Sequence, residues 1–133
     1  MDAVPRISSA LVAELMRIAG ERSDRPGSTG RIDEKCGLLL GRGRDIVRIE
    51  PARNVAADPF TTFEIDPRAL FAAHRAERGG DGLAVLGYYH THPSGDAMPS
   101  ATDAACAAPD GRLWLIATVA DALLFRAVAE GAI

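Results

Sequence analysis

The chain has 133 residues, of which 47% are hydrophobic and 25% charged, and it carries a formal net charge of −3. That length and balance predict one globular domain over 1–133, large enough to fold without disulfide staples, and exclude an intrinsically disordered chain. No apolar run approaches the roughly 20 residues that span a bilayer, and the acidic balance offers no general nucleic-acid surface.

The first residues, Met1 to Arg6, lack the basic and apolar regions of a secretory leader, so a cytoplasmic setting is expected, with neither membrane nor nucleic acid as partner. The two cysteines, Cys36 and Cys106, agree with a reducing compartment. Of the 15 basic residues only Lys35 is a lysine. The base composition of the gene is the simplest account of that bias.

Ile7, Leu11, Leu15 and Ile18 recur at helical spacing around Ser8, which predicts an amphipathic helix over 8–20 with Ser8 as N-cap. Residues 21–31 are polar and rich in turn formers, and predict a loop. Cys36-Gly37-Leu38-Leu39-Leu40-Gly41 predicts a buried strand, and Gly43 to Asp45 a turn into a second strand over 46–49. Residues 51–60 hold two prolines and several small side chains, and predict a long connection. Thr61 to Ile65 alternates as a strand does. Asp66 as N-cap and Pro67 at the first helical position open a second helix that ends at Gly79-Gly80. Leu83 to His90 is a further apolar run of strand character. Ser100 is placed to cap a short Ala-rich helix reaching Ala108, and residues 113–119 and 122–128 predict two closing strands. The order α-β-β-β-α-β-α-β-β predicts an α/β (α+β) fold, with helices flanking a mixed, mostly antiparallel sheet.

The chemistry concentrates between His90 and Asp103. Two histidines at i and i+2 at a strand end project from one face, and Pro93 keeps His92 extended. Two imidazoles so placed begin a tetrahedral metal site. Asp103, in the first turn of the helix that Ser100 would cap, is the third candidate ligand, because the intervening loop can fold that helix back over the strand end. Two histidines, one aspartate and a water leave an open position, which suits a catalytic site; the set favours zinc and also accepts other divalent ions. Taken singly, each part has a plainer reading. His90-Thr91-His92 could be a surface pair, and Ser100-Ala101-Thr102-Asp103 is also a capping box. Rival metal motifs are missing: there is no His-Glu-x-x-His and no cupin-type set.

His90-x-His92-Pro93-x(6)-Ser100-x-x-Asp103 resembles the motif of the JAMM (MPN+) metalloproteases at every defining position. Glu34-Lys35-Cys36-Gly37, followed by aliphatic residues, looks like the segment that carries the glutamate of that family. Asn54, Phe63 and Asp66-Pro67 also sit where such proteins tend to have similar residues. The resemblance covers about residues 7–128. It implies an α+β sandwich of the MPN, cytidine-deaminase-like type, with one Zn2+ per chain held by His90, His92 and Asp103. It further implies Glu34 as general acid/base and Ser100 as donor to the oxyanion of a tetrahedral intermediate. Asp33, beside Glu34, and Glu64, on another predicted strand, are alternatives for the acid/base.

Cys36 reads as a core residue, and Cys106 has no partner at a useful spacing. His74 reads as a packed or surface histidine, and Ser94 to Asp96 as loop residues that could line a substrate groove. Of Tyr88 and Tyr89, alternation puts one in the core and one outside. About 70 residues separate Glu34 from Asp103, which matches the compact form of the prokaryotic members. That form implies hydrolysis of an amide bond after the C-terminal Gly-Gly of a ubiquitin-like or sulfur-carrier protein, whose extended tail would bind beside an exposed strand. A RadC-like, DNA-repair-associated domain is one alternative, since that branch shares His-x-His-Pro-Ser-Gly; the acidic balance opposes it. A non-catalytic metal-bound interaction module is the other, and the intact ligand set opposes it. Strand edges left open in so small a domain would accommodate a homodimer.

Overall fold

The computed structural model describes residues 5–80, 82–93, 95, 97 and 112–126. They form β1 (Arg6–Ile7), α1 (Ser9–Ala19), β2 (Cys36–Arg42), β3 (Asp45–Ala52), α2 (Pro67–Arg78), β4 (Ala84–Thr91), β5 (Leu113–Ala117) and β6 (Ala122–Arg126). The six strands make one mixed sheet in the order β1-β3-β2-β4-β5-β6. The β1–β3 and β4–β5 pairs are parallel, and the other three are antiparallel. The expected α+β class is observed.

Each helix covers one face of this sheet. The Ser8 hydroxyl accepts a hydrogen bond from the Leu11 N–H at 3.1 Å and starts α1 as expected. Because Ser8 is extended, Ile7 falls in β1 rather than in the helix. Leu15 of α1 packs into a core with Leu39, Ile46, Tyr89, Leu113, Leu115 and Ala117. On the other face Leu70 and Ala73 of α2 meet Leu38, Leu40, Val85, Ile65 and Tyr88. Asp66 caps α2 by accepting from the Arg68 N–H at 3.0 Å, with Pro67 at the first helical position. Strand β2 lies between β3 and β4 and beneath both helices, which is why its sequence is continuously apolar rather than alternating. Gly37 is required there: a Cβ would collide with the Tyr89 ring and the Glu50 carbonyl.

Four expectations need correction. Strand β3 runs on through Pro51 to Ala52; β1 pairs only with Asp45 and Ile46, so the proline sits on an open edge. Thr61 to Ile65 is not a strand. The Asp58 carboxylate accepts from the Phe60 N–H and the Thr61 hydroxyl, and its carbonyl from the Thr62 N–H, which winds the segment into a turn. Only a single bridge between Asn54 and Ile65 survives. Both tyrosines are sheltered, since helices cover both faces: Tyr89 is fully buried, and Tyr88 is half-buried and edge-on to Trp114. Strand β5 stops at Ala117, because the Thr118 hydroxyl accepts from the N–H groups of Ala120 and Asp121 and turns the chain into β6. The helix expected over 100–108, with Ser100, Asp103 and Cys106, lies outside the described residues. Among the described residues no helix is long and apolar enough to cross a membrane.

Leu15 is fully buried where α1 meets the sheet, on the face away from Leu38 and Leu40. Leu15→Ala is expected to cost about 2–5 kcal/mol in chemical denaturation. A loss near zero would mean that α1 is not anchored there.

Candidate active site

The antiparallel pairing of β2 and β4 places Cys36 opposite His90 and Leu38 opposite Tyr88. Continuing that register sets Lys35 against Thr91 and Glu34 against His92. Because side chains alternate with period two, Glu34 then projects from the same face as both histidines. The outcome is a buried cluster in which ligand atoms of Glu34, His90 and His92 all lie within 4.8 Å of one another. The two histidine Nε2 atoms face each other at 3.0 Å. The expected histidine pair is therefore formed, and Glu34 joins it.

Neither alternative to Glu34 fits. Asp33 is buried but committed: Lys35 Nζ reaches its Oδ1 at 2.5 Å and Arg25 Nε its Oδ2 at 3.3 Å. Burial alone would raise the Asp33 pKa, but the hydrogen bond and charge of Lys35 outweigh it and hold the carboxyl below its ordinary range. Lys35 Nζ also donates to the carbonyls of Glu21 and Asp33. Glu64 is exposed, and its N–H donates to Asn54.

Asn54 holds the Glu34 segment in place. Its Nδ2 donates to the Glu34 carbonyl at 2.8 Å and the Thr62 carbonyl at 3.0 Å, and its Oδ1 accepts from the N–H groups of Ala56 and Glu64, each at 3.0 Å. A buried amide with all its hydrogen-bonding capacity in use acts as a rigid joint. The loop it fixes delivers Phe63, which stacks on the His90 ring with centroids 4.2 Å apart and planes 17° apart. Trp114 closes a second side edge-on at 5.7 Å. His90 is thus walled by aromatic surface, so its ring has little freedom to turn.

From the sequence Asn54 and Phe63 carry only a family resemblance and no role, and Thr91 and Trp114 carry no signal at all. Trp114 pairs with Tyr88 across β4 and β5, so the strand register, had it been known, would have put it on the histidine face. Thr91, between the histidines, accepts from the Lys35 N–H through its hydroxyl at 2.8 Å. Cys36 is a core residue as expected. Burial, and secondarily the Glu34 charge, push its thiol up to about 12, and Sγ lies 3.8 Å from the carbonyls of Ala52 and Arg53. His74 is half-buried on α2 and belongs to no metal-type cluster among the described residues. Ser94, Asp96, Ser100 and Asp103 lie outside the described residues.

Two imidazole nitrogens turned to one buried space, with the Glu34 carboxylate beside them, suit a divalent cation held in part by nitrogen ligands. Here the donor chemistry and the metal agree: neutral histidines offer in-plane lone pairs, and Nε2 of each is turned to the shared space.

The model of a family described as prokaryotic homologs of the JAB domain matches residues 11–128. The chain is 40% identical over 86 residues to a desampylase of Haloferax volcanii, a match covering 62% of this chain and 60% of that protein. It is 45% identical over 71 residues to a probable TtuB-protein conjugate cleaving protease of Thermus thermophilus, covering 53% of this chain and 46% of that one. The matched stretches thus span about half the length of these curated relatives. Among solved structures, the solution structure of a protein from Desulfitobacterium hafniense is 30% identical, with a TM-score of 0.69 over 94% of this chain and 85% of that one. The crystal structure of a JAB1/MPN domain protein from Archaeoglobus fulgidus shares the fold at 20% identity, with a TM-score of 0.54 over 93% of this chain and 89% of that one.

If the recess takes a divalent cation and the Phe63 ring fixes His90, Phe63→Ala should weaken binding of Zn2+, added as the probe ion, by about 10-fold. Competition with a chromophoric chelator reads this directly. An unchanged affinity would show that the stack does not orient His90 for a cation.

Proposed function

The chain belongs to the family of prokaryotic homologs of the JAB domain, and on that premise we propose that it is a zinc-dependent peptidase. Its substrate in this reading is the amide that follows the C-terminal Gly-Gly of a ubiquitin-like or sulfur-carrier protein. The observation that carries the reading is the buried convergence of Glu34, His90 and His92. The relatives described above, a desampylase and a conjugate-cleaving protease, support the same class of substrate.

His90, His92 and Asp103 would hold the ion. What such an ion supplies when bound is Lewis acidity toward the amide carbonyl and toward water. The other steps belong to the chain. The Glu34 carboxylate takes a proton from the attacking water and returns it to the leaving amine. Phe63 and Trp114 keep the His90 ring in one orientation while the recess excludes bulk solvent. The Ser100 hydroxyl donates to the oxygen that gains charge as the carbonyl becomes tetrahedral. Glycines in the tail let its backbone pass close to the recess without a side chain in the way. A homodimer along an open sheet edge, and a reducing, cytoplasmic setting for a chain with two cysteines, complete the proposal.

The test uses the full chain and a ubiquitin-like carrier fused through its terminal Gly-Gly to a reporter. Purified protein is expected to bind one Zn2+ per chain and to cleave the fusion. Glu34→Gln should lower kcat by about 10²- to 10⁴-fold with the circular dichroism spectrum unchanged. Chelation should abolish cleavage, and added Zn2+ should restore it. Zinc-loaded protein inert on a panel of Gly-Gly-tailed carriers would sink the reading.

A further inference from the structure

Past its last ladder pair with β2, strand β4 parts from it. Cys36 pairs with His90, and the next main-chain bond runs from the Thr91 N–H to the Lys35 carbonyl at 2.9 Å. In a regular antiparallel ladder the Lys35 N–H would return to the Thr91 carbonyl. Here it goes to the Thr91 hydroxyl instead, at 2.8 Å. On its other edge the main chain stays paired with β5, where the His92 N–H donates to the Ala117 carbonyl at 3.0 Å. A side chain thus bridges the gap between the strand that carries the histidines and the segment that carries Glu34.

The other end of the same peptide group is also held by a side chain. The Glu34 carbonyl and the Lys35 N–H belong to one planar unit and point in opposite directions. Asn54 Nδ2 takes the carbonyl at 2.8 Å, and Thr91 Oγ1 takes the N–H. Rotating the plane would break both bonds. On its flanks, the Glu34 N–H donates to the Pro59 carbonyl at 2.7 Å, and the Lys35 carbonyl is held by Thr91. All four main-chain polar groups of Glu34 and Lys35 are therefore engaged, two of them by side chains. Since the plane leaves the Glu34 Cα at a set angle, it also sets the direction in which the carboxylate departs.

We propose that Thr91 and Asn54 are positioning residues that clamp the Glu34–Lys35 peptide plane from opposite sides, and so aim the Glu34 carboxylate at the histidine pair. The proposal rests on the reading of Glu34 as the proton carrier. Neither residue touches substrate; each acts through Glu34. Thr91→Val keeps the branched shape and removes only the acceptor. Thr91→Ser restores it. Asn54→Asp keeps the two acceptor bonds to Ala56 and Glu64, and sets a carboxylate oxygen against the carbonyls of Glu34 and Thr62.

Amide hydrogen exchange, Zn2+ affinity and steady-state cleavage of the carrier fusion are measured on the full-length variants, with Leu15→Ala as a control destabilised far from the Glu34–Lys35 peptide. Thr91→Val is expected to speed exchange of the Lys35 amide by about 10-fold or more. It should lower kcat by about 10- to 100-fold, as sub-ångström to ångström misplacement of a catalytic group does. KM and Zn2+ affinity should stay within about threefold, because the interaction lost is made in the transition state. Thr91→Ser should return kcat to near the wild-type value, and Asn54→Asp should move it in the same direction as Thr91→Val. If Asn54→Asp does not fold, Thr91→Val with its serine rescue decides alone. Wild-type kcat in Thr91→Val, or an equal loss in Leu15→Ala, overturns the proposal. If the wild-type protein cleaves no fusion, the peptidase reading fails. The clamp is then judged by exchange alone, and an unchanged Lys35 rate in Thr91→Val overturns it.

Discussion

The antiparallel register of β2 against β4 is the constraint on which the site depends. Cys36 opposite His90 brings a carboxylate and two imidazoles from distant parts of the chain to one end and one face of the sheet. A slip of a single residue would send Glu34 to the opposite face from the histidines. The register is secured well away from the chemistry. Leu38 and Leu40 must meet α2 while Leu39 meets the α1 side, and both cores are buried. A register shift between Leu39 and Leu40 absorbs an extra residue of β4, so that Val85 and Tyr88 both face α2. Hydrophobic packing of the sheet interior thus decides which polar groups meet at its end.

Beyond the end of the ladder, side chains take over from main-chain pairing. Asn54 joins three stretches of backbone, and Asp58 winds the loop between them. That loop lays Phe63 on His90. One amide therefore links the placement of the carboxylate to the orientation of an imidazole. The buried Asp33, next to Glu34, is paired with Arg25 and Lys35 and stays outside the histidine cluster.

Much of this was legible in the residues, in proportion to how local the determinant is. Ser8, Asp66 and Pro67 state the helix starts, and His90 and His92 at a strand end state a two-nitrogen site. Glu34 was found only through resemblance, because its distance along the chain from the histidines carries no geometry until the strand register is known. Thr61 to Ile65 was misread for a physical reason. Alternation describes a strand only if a neighbouring strand takes up its backbone, and here the Asp58 and Asn54 side chains take up those groups instead. The role of Thr91 had no sequence signal either, since a hydroxyl acting as a missing carbonyl is visible only where two strands part.

The lone lysine also gains a meaning from its surroundings. All three donors of the Lys35 ammonium find acceptors, in the Glu21 and Asp33 carbonyls and the Asp33 carboxylate, and every other basic side chain apart from histidine is a guanidinium. Activated carriers are joined to side chains by nucleophilic attack of an amine, and the one lysine amine of this chain is already enclosed by Glu21 and Asp33. Under the proposed function, a peptidase that releases carriers from amines would itself offer them a single lysine amine, and that one is held by three acceptors.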